Sequence, residues 1–129
     1  EINLGSLSPK RDFTYIKDTI DGFIAGFNSN ITNAETYNLG TGTEISIDEI
    51  SKILIKKINP KLKINNDNYR IRPKNSEVMR LISDNQKAKK ELNWKPKYIN
   101  AKLNNAFDET IRWYKNNLLV NTSYSDYII

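Results

Sequence analysis

The chain is 129 residues long, enough for one domain, and carries 20 Lys and Arg against 15 Asp and Glu, a formal charge of +5. It contains no Cys and no His. That excludes a disulfide framework, a thiol nucleophile, a Cys-based zinc site, a Ser-His-Asp triad and any imidazole base or metal ligand. Residues 1–16 read as extended, with Gly5 and Ser8-Pro9 as turn signals and Phe13 and Tyr15 alternating with Asp12 and Thr14 at strand period. Ile16, Ile20, Phe23, Ile24 and Phe27 then fall on one face of an amphipathic helix over 17–27. Thr36 to Leu39 predicts a short strand, turned by Gly40-Thr41-Gly42, and Ile45 a second extended piece. Ser46 with Glu49 three residues later is a capping-box pattern. The helix it opens carries Ile47, Ile50, Ile53, Leu54 and Ile58 on one face and stops at Asn59-Pro60.

Residues 62–72 alternate weakly around a polar turn, and Arg72-Pro73 opens a loop through Glu77. Val78 to Ile82 predicts another short strand. Ser83-Asp84-Asn85 caps a short helix with Ala88 and Leu92, ended by Asn93-Trp94-Lys95-Pro96. A last helix over 101–117 turns Leu103, Ala106, Phe107, Thr110, Ile111 and Tyr114 inward. The tail from Leu118 to Ile129 has no helical period and reads as an extension or a partner contact. The whole reads as one small α/β unit of short strands and about four helices.

No apolar run approaches the roughly 20 residues of a membrane span, and no signal-peptide pattern opens the chain. The lack of Cys is compatible with the cytoplasm, which is the expected compartment. The positive charge invites a nucleic-acid reading. The Lys are spread through the chain and interleaved with acids, as on a solvated face, so nucleic acid is not the expected partner. The start at Glu1, not Met, reads as a piece of something longer.

A search for self-sufficient catalysis fails. No G-x-G-x-x-G follows a strand, and Gly40-Thr41-Gly42 is only a two-glycine turn. Thr19, not Lys, stands four residues after Tyr15, and the carboxylates are scattered without a close pair. No catalytic residue, cofactor cradle or metal site is assigned. Arginine usage is the informative signal. Five Arg stand among 15 Lys, and a planar, bidentate fork is a reason to keep one. For Arg70, Arg80 and Arg112 a surface ion pair accounts equally well. Taken alone, these residues describe an anion-contacting α/β domain.

Several stretches in order resemble the C-terminal part of the nucleotide-sugar epimerases and dehydratases, which are extended short-chain dehydrogenase/reductase enzymes. They are Arg11 to Asp18, Thr36 to Gly40, Arg72-Pro73 through Ser76-Glu77-Val78, Ser83 to Ala88, Leu92 to Pro96, and Ile111 to Tyr114. Leu4 to Asp12 taken with Arg72 to Val78 looks most like the 4,6-dehydratases of N-acetylated amino-sugar nucleotides. The resemblance implies a small substrate-binding lobe over 1–117, with 118–129 as an extension. The NAD or NADP site and the Tyr-x-x-x-Lys pair would lie in a missing Rossmann half, leaving this segment inactive by itself. The parent reaction it implies begins with hydride removal from sugar C4. In a dehydratase, water is then lost across C5–C6 and the hydride returns to C6; in an epimerase it returns to C4 on the other face.

The same resemblance assigns roles. Arg11 and Arg72 match the two arginines that contact the nucleotide diphosphate. Glu77 matches a position near the ribose, and Ser46 one that approaches the nucleotide in some relatives, although its helix-cap role is the stronger reading. Asp12 and Asp18 are expected to set the strand-to-helix join. Trp94, Trp113, Tyr114 and Tyr15 are expected to pack. The implied partners are a nucleotide-diphosphate sugar and the Rossmann half. Without that half, the lobe is expected to expose apolar surface and form a homo-oligomer. A free-standing binding module for nucleotide sugar or nucleic acid is the alternative of another class.

Overall fold

Every strand that forms here finds its partner far away in sequence. A computed structural model describes residues 1–73 and 75–117, so the extension expected at 118–129 lies outside the described residues. The elements are β1 (Ile2–Leu4), β2 (Lys10–Arg11), α1 (Ile16–Phe27), β3 (Ile45–Ser46), α2 (Ile47–Ile58), β4 (Ile64–Asn66), β5 (Arg80–Leu81), α3 (Gln86–Glu91) and α4 (Leu103–Asn117). Single 3₁₀ turns at Asn68–Arg70 and Asn100–Lys102 join them. The fold is α/β, with four helices and short strands among the described residues. None of those helices is long and apolar enough to cross a membrane.

β1 and β4 pair in parallel, Ile2 opposite Ile64. The second sheet has the order β3-β2-β5, with β2 antiparallel to β3 and parallel to β5. Parallel neighbours need long crossovers, and here those crossovers carry the helices.

The local signals for α2 hold. The Ser46 hydroxyl accepts from the Glu49 N–H at 3.2 Å, and the Glu49 carboxylate accepts from the Ser46 N–H at 2.9 Å. The Ser46 hydroxyl, which donates to the Glu49 carboxylate at 2.6 Å, and then the Ser46 N–H hold that carboxyl below its ordinary range. Asp48 and Glu49 in the first turn and Lys56 and Lys57 in the last complement the helix dipole. Lys57 then reaches Asp108 at 2.6 Å and ties α2 to α4.

The core is small. Ile50, Ala88, Trp94 and Ala106 are its fully buried apolar members. Trp94, 3% exposed, donates its indole N–H to the Asp18 carbonyl at 2.9 Å, so the packing role expected of it holds. Trp113 does not follow. It is 60% exposed and stacks edge-on against the exposed Tyr114 at 5.2 Å, because the face of α4 turned inward is centred on Ala106.

α1 forms where its periodicity predicts, yet it is mounted with its apolar stripe outward. Its buried residues are Asp18 and Gly22. Ile16, Ile20, Phe23, Ile24 and Phe27 are all exposed, Phe27 at 90%. The reason lies in what the inner side touches. Leu39 lies so close to Gly22 that a Cβ there would collide with it, and the Asp18 carboxylate is occupied by the loop after Trp94. The smallest and the most hydrogen-bonded positions of the helix therefore define its inner side.

Two expected strands are absent among the described residues. Phe13 to Tyr15 is extended but unladdered, and β2 is instead Lys10–Arg11. Beyond Arg11 the Asp12 N–H still donates to the Leu81 carbonyl at 3.0 Å, while the Asp12 side chain turns to the glycine turn. Thr36 to Leu39 forms no ladder. The α3 cap also differs from expectation. Asp84 accepts from the Gln86 N–H, while the Asn85 amide is used elsewhere, on the Gly40 carbonyl.

Candidate functional site

The loop before β2 is anchored to the start of α2. The Pro9 carbonyl accepts from the Ile47 N–H at 3.0 Å, and the Leu7 carbonyl from the Asp48 N–H at 2.9 Å. β2 is then clasped on both edges, so Lys10 and Arg11 are presented on a fixed backbone. Successive strand residues point to opposite faces. Lys10 goes to Glu44 at 3.4 Å, where Arg80, its neighbour in register, also binds at 2.9 Å. The hydrogen bonds from Arg80 and then Lys10 hold the Glu44 carboxyl below its usual range. Arg11 goes the other way. One terminal nitrogen donates to the Lys10 carbonyl at 2.9 Å, and the other to Glu77 Oε1 at 3.3 Å.

Asp12 fixes the end of that strand. Its carboxylate accepts from the N–H groups of Thr41 (2.9 Å), Gly42 (2.9 Å) and Ser83 (3.2 Å), and from the Thr41 hydroxyl. The glycine turn is thus an anion cradle already filled by a side chain of its own chain. That arrangement does not fit a dinucleotide pyrophosphate. Asp18 makes the analogous bond at the helix, accepting from the N–H groups of Lys97 and Tyr98.

Beside Arg11 lies an open cavity of about 510 Å³, walled by Arg11, Thr14, Tyr37, Leu39, Gly40 and Ser83 among others. The Ser83 hydroxyl is buried at this wall and has no hydrogen-bond partner among the described residues. Tyr37 donates to Glu91 at 2.7 Å, and desolvation followed by that bond pushes its phenol up to about 12. Tyr15 donates to Glu109, which Lys17 also holds, and its phenol is raised for that reason. Both phenols are therefore donors, not bases, at neutral pH.

The four sequence-expected residues are not all brought together. Arg11 and Glu77 form one part-buried pair across 66 residues. Arg72 stands exposed after the 3₁₀ turn, and among the described residues it forms no ion pair. Ser46 is buried in its capping box. None of Glu77, Arg72 or Ser46 belongs to the cavity wall that Arg11 joins. Sequence reasoning missed the Lys10–Glu44–Arg80 cluster. The alternation of Lys10 and Arg11 on a strand was the one signal available for it, and that strand was expected two residues later.

Comparison with known proteins gives consistent matches. A family described as GDP-mannose 4,6 dehydratase matches residues 1–106. UDP-glucuronate 4-epimerase of Thermodesulfobacterium geofontis is 35% identical over 115 residues, covering 88% of this chain and 33% of that protein. UDP-glucose 4-epimerase 2 of Oryza sativa subsp. japonica is 39% identical over 92 residues, covering 68% of this chain and 22% of that protein. Among solved structures, UDP-glucuronic acid 4-epimerase from Bacillus cereus, in complex with UDP-glucuronic acid and NAD, superposes with a TM-score of 0.73 at 25% identity. It is covered over 89% of this chain and 35% of its own. The chain thus spans about a fifth to a third of the length of these relatives.

Proposed function

Because the chain belongs to the nucleotide-sugar epimerase and dehydratase family of extended short-chain dehydrogenases, we propose that it is the nucleotide-sugar-binding lobe of an NAD(P)-dependent 4,6-dehydratase acting on an amino-sugar nucleotide. The observation that supports the dehydratase reading is the match of residues 1–106 to the family described as GDP-mannose 4,6 dehydratase. The 4-epimerase reading is the second one, favoured by the names of the curated relatives. The choice between them depends on acid/base residues outside this segment.

In this reading the lobe binds and orients. Arg11 offers a rigid fork to the diphosphate, and Arg72 supplies a second one from the following loop. A guanidinium matches two phosphate oxygens at once, where an ammonium supplies only charge. NAD or NADP, when bound, supplies hydride transfer, and it is held by the Rossmann half of the parent chain. Residues 1–117 form the lobe, and 118–129 an extension.

Titration with UDP-, GDP- and dTDP-sugars tests the site. Arg11→Ala and Arg72→Ala are each expected to weaken binding by about 1–3 kcal/mol, the range for a hydrogen bond to a charged group. Binding of duplex DNA with a steep salt slope, and of no nucleotide, would instead support a basic nucleic-acid module.

The outward stripe of α1 is the seat of the Rossmann half. Burying one Phe side chain is worth about 1.5–3 kcal/mol, and five large apolar residues lie along this helix. Alone, the chain hides the stripe by self-association. In sedimentation it is expected to run as an oligomer, and Phe23→Glu with Phe27→Glu is expected to shift it to monomer with its helix content intact. A wild-type monomer that binds no hydrophobic dye would sink this reading.

A further inference from the structure

Glu77 matches a ribose position by resemblance, but its surroundings in this chain are those of an arginine's partner. We infer that Glu77 is a positioning residue, which fixes the plane of the Arg11 guanidinium and acts on the nucleotide only through it. This inference rests on the nucleotide-binding reading of Arg11.

Three observations carry it. First, Arg11 is held at two points, by the Lys10 carbonyl at one terminal nitrogen and by Glu77 at the other. A guanidinium has five donors, so this leaves others for a phosphate while removing the freedom of the long side chain. Second, the cavity beside Arg11 has Arg11 in its wall and not Glu77. The carboxylate is therefore not among the groups that line this cavity. Its side chain is 13% exposed and that of Arg11 23%, so the pair is largely withdrawn from water. Third, the backbone sets the position of Glu77. The Ser76 N–H and hydroxyl both donate to the Pro73 carbonyl, at 2.8 and 3.0 Å, and close a turn immediately before it. A carboxylate placed by a turn, meeting an arginine placed by a three-stranded sheet, is a fixed strut. A flexible surface pair would not hold the fork in one plane.

The test is a double-mutant cycle on this chain, with UDP as the probe. Glu77→Gln keeps the size and loses the charge. It is expected to weaken UDP binding about 5–20-fold when Arg11 is present. In the Arg11→Ala background it is expected to change affinity by no more than about twofold. The preference for UDP over 2′-deoxy-UDP should be the same in wild type and Glu77→Gln, because the ribose is not what Glu77 reads. An independent arm needs no nucleotide. Phenylglyoxal should modify Arg11 several-fold faster in Glu77→Gln than in wild type, as followed on the Arg11 peptide by mass spectrometry, with the thermal midpoint nearly unchanged.

An effect of Glu77→Gln that persists without Arg11, or that vanishes when 2′-deoxy-UDP replaces UDP, would return Glu77 to the ribose and overturn the inference. Equal phenylglyoxal rates would overturn it as well. If the wild-type chain binds no UDP, the nucleotide reading fails, and the phenylglyoxal arm still decides whether Glu77 holds Arg11.

Discussion

Asp18→Ala is expected to lower the unfolding free energy by about 2–6 kcal/mol, since two backbone donors lose their acceptor at about 1–3 kcal/mol each. Asp18 is the largest wholly buried side chain among the described residues. Its carboxylate accepts from the Lys97 N–H at 2.8 Å and the Tyr98 N–H at 3.0 Å, and its own carbonyl takes the Trp94 indole. The substitution removes both acceptor oxygens and leaves two backbone donors unpaired beside a tryptophan. A domain of this size has about 5–15 kcal/mol in total, so the loss is a large fraction of its stability. Asp18→Asn keeps one acceptor and turns an amide N–H₂ toward the other donor, and about half the loss is expected. Urea midpoints with an unchanged slope would measure both. A loss below about 1 kcal/mol for the alanine variant would mean that the loop after Trp94 is held by packing alone.

Asp12→Ala is expected to cost about 3 kcal/mol or more, as several hydrogen bonds to one charged acceptor disappear together. Three backbone N–H groups, from Thr41, Gly42 and Ser83, converge on that carboxylate. It is the junction at which β2, the glycine turn and the end of β5 meet, and it directly follows Arg11. The variant should lose amide-exchange protection at Thr41, Gly42 and Ser83 well before α2 does. It should also lose nucleotide affinity with Arg11 still present. Unchanged protection at Thr41 and Gly42 would refute the cradle.

How much of this could be read in advance depended on the range of each interaction. α2 was legible because its signal is local, with Ser46 and Glu49 three residues apart and an isoleucine stripe behind them. α1 was legible as a helix but not in its orientation. Hydrophobic period reports where the apolar face is, whereas Gly22 and Asp18 decided which face is inside, through Leu39, Lys97 and Tyr98. Trp113 was misjudged for a related reason, since its size suggested core while the small Ala106 occupies the inner face of α4. Strands of two residues carry no readable period, and Lys10–Arg11 became one only because Ile45 and Leu81 lie beside it. At the site, Arg11 stood out as an arginine in a lysine-rich chain. Its contact with Glu77 lies 66 residues along the sequence and leaves no trace in local pattern.

That long reach governs how the molecule can be made. The Asp18 carboxylate waits 79 residues for the first of its donors, Lys97, and β1 waits until Ile64. At a translation rate of about 5–20 residues per second, the interval between Asp18 and Lys97 lasts roughly 4–16 s. Throughout it Asp18 lacks Trp94, Lys97 and Tyr98, and the inner side of α1 has nothing to dock against. Assembly of this lobe is therefore timed by the emergence of residues 94–98, and a pause in synthesis before Trp94 would prolong the period in which α1 is undocked.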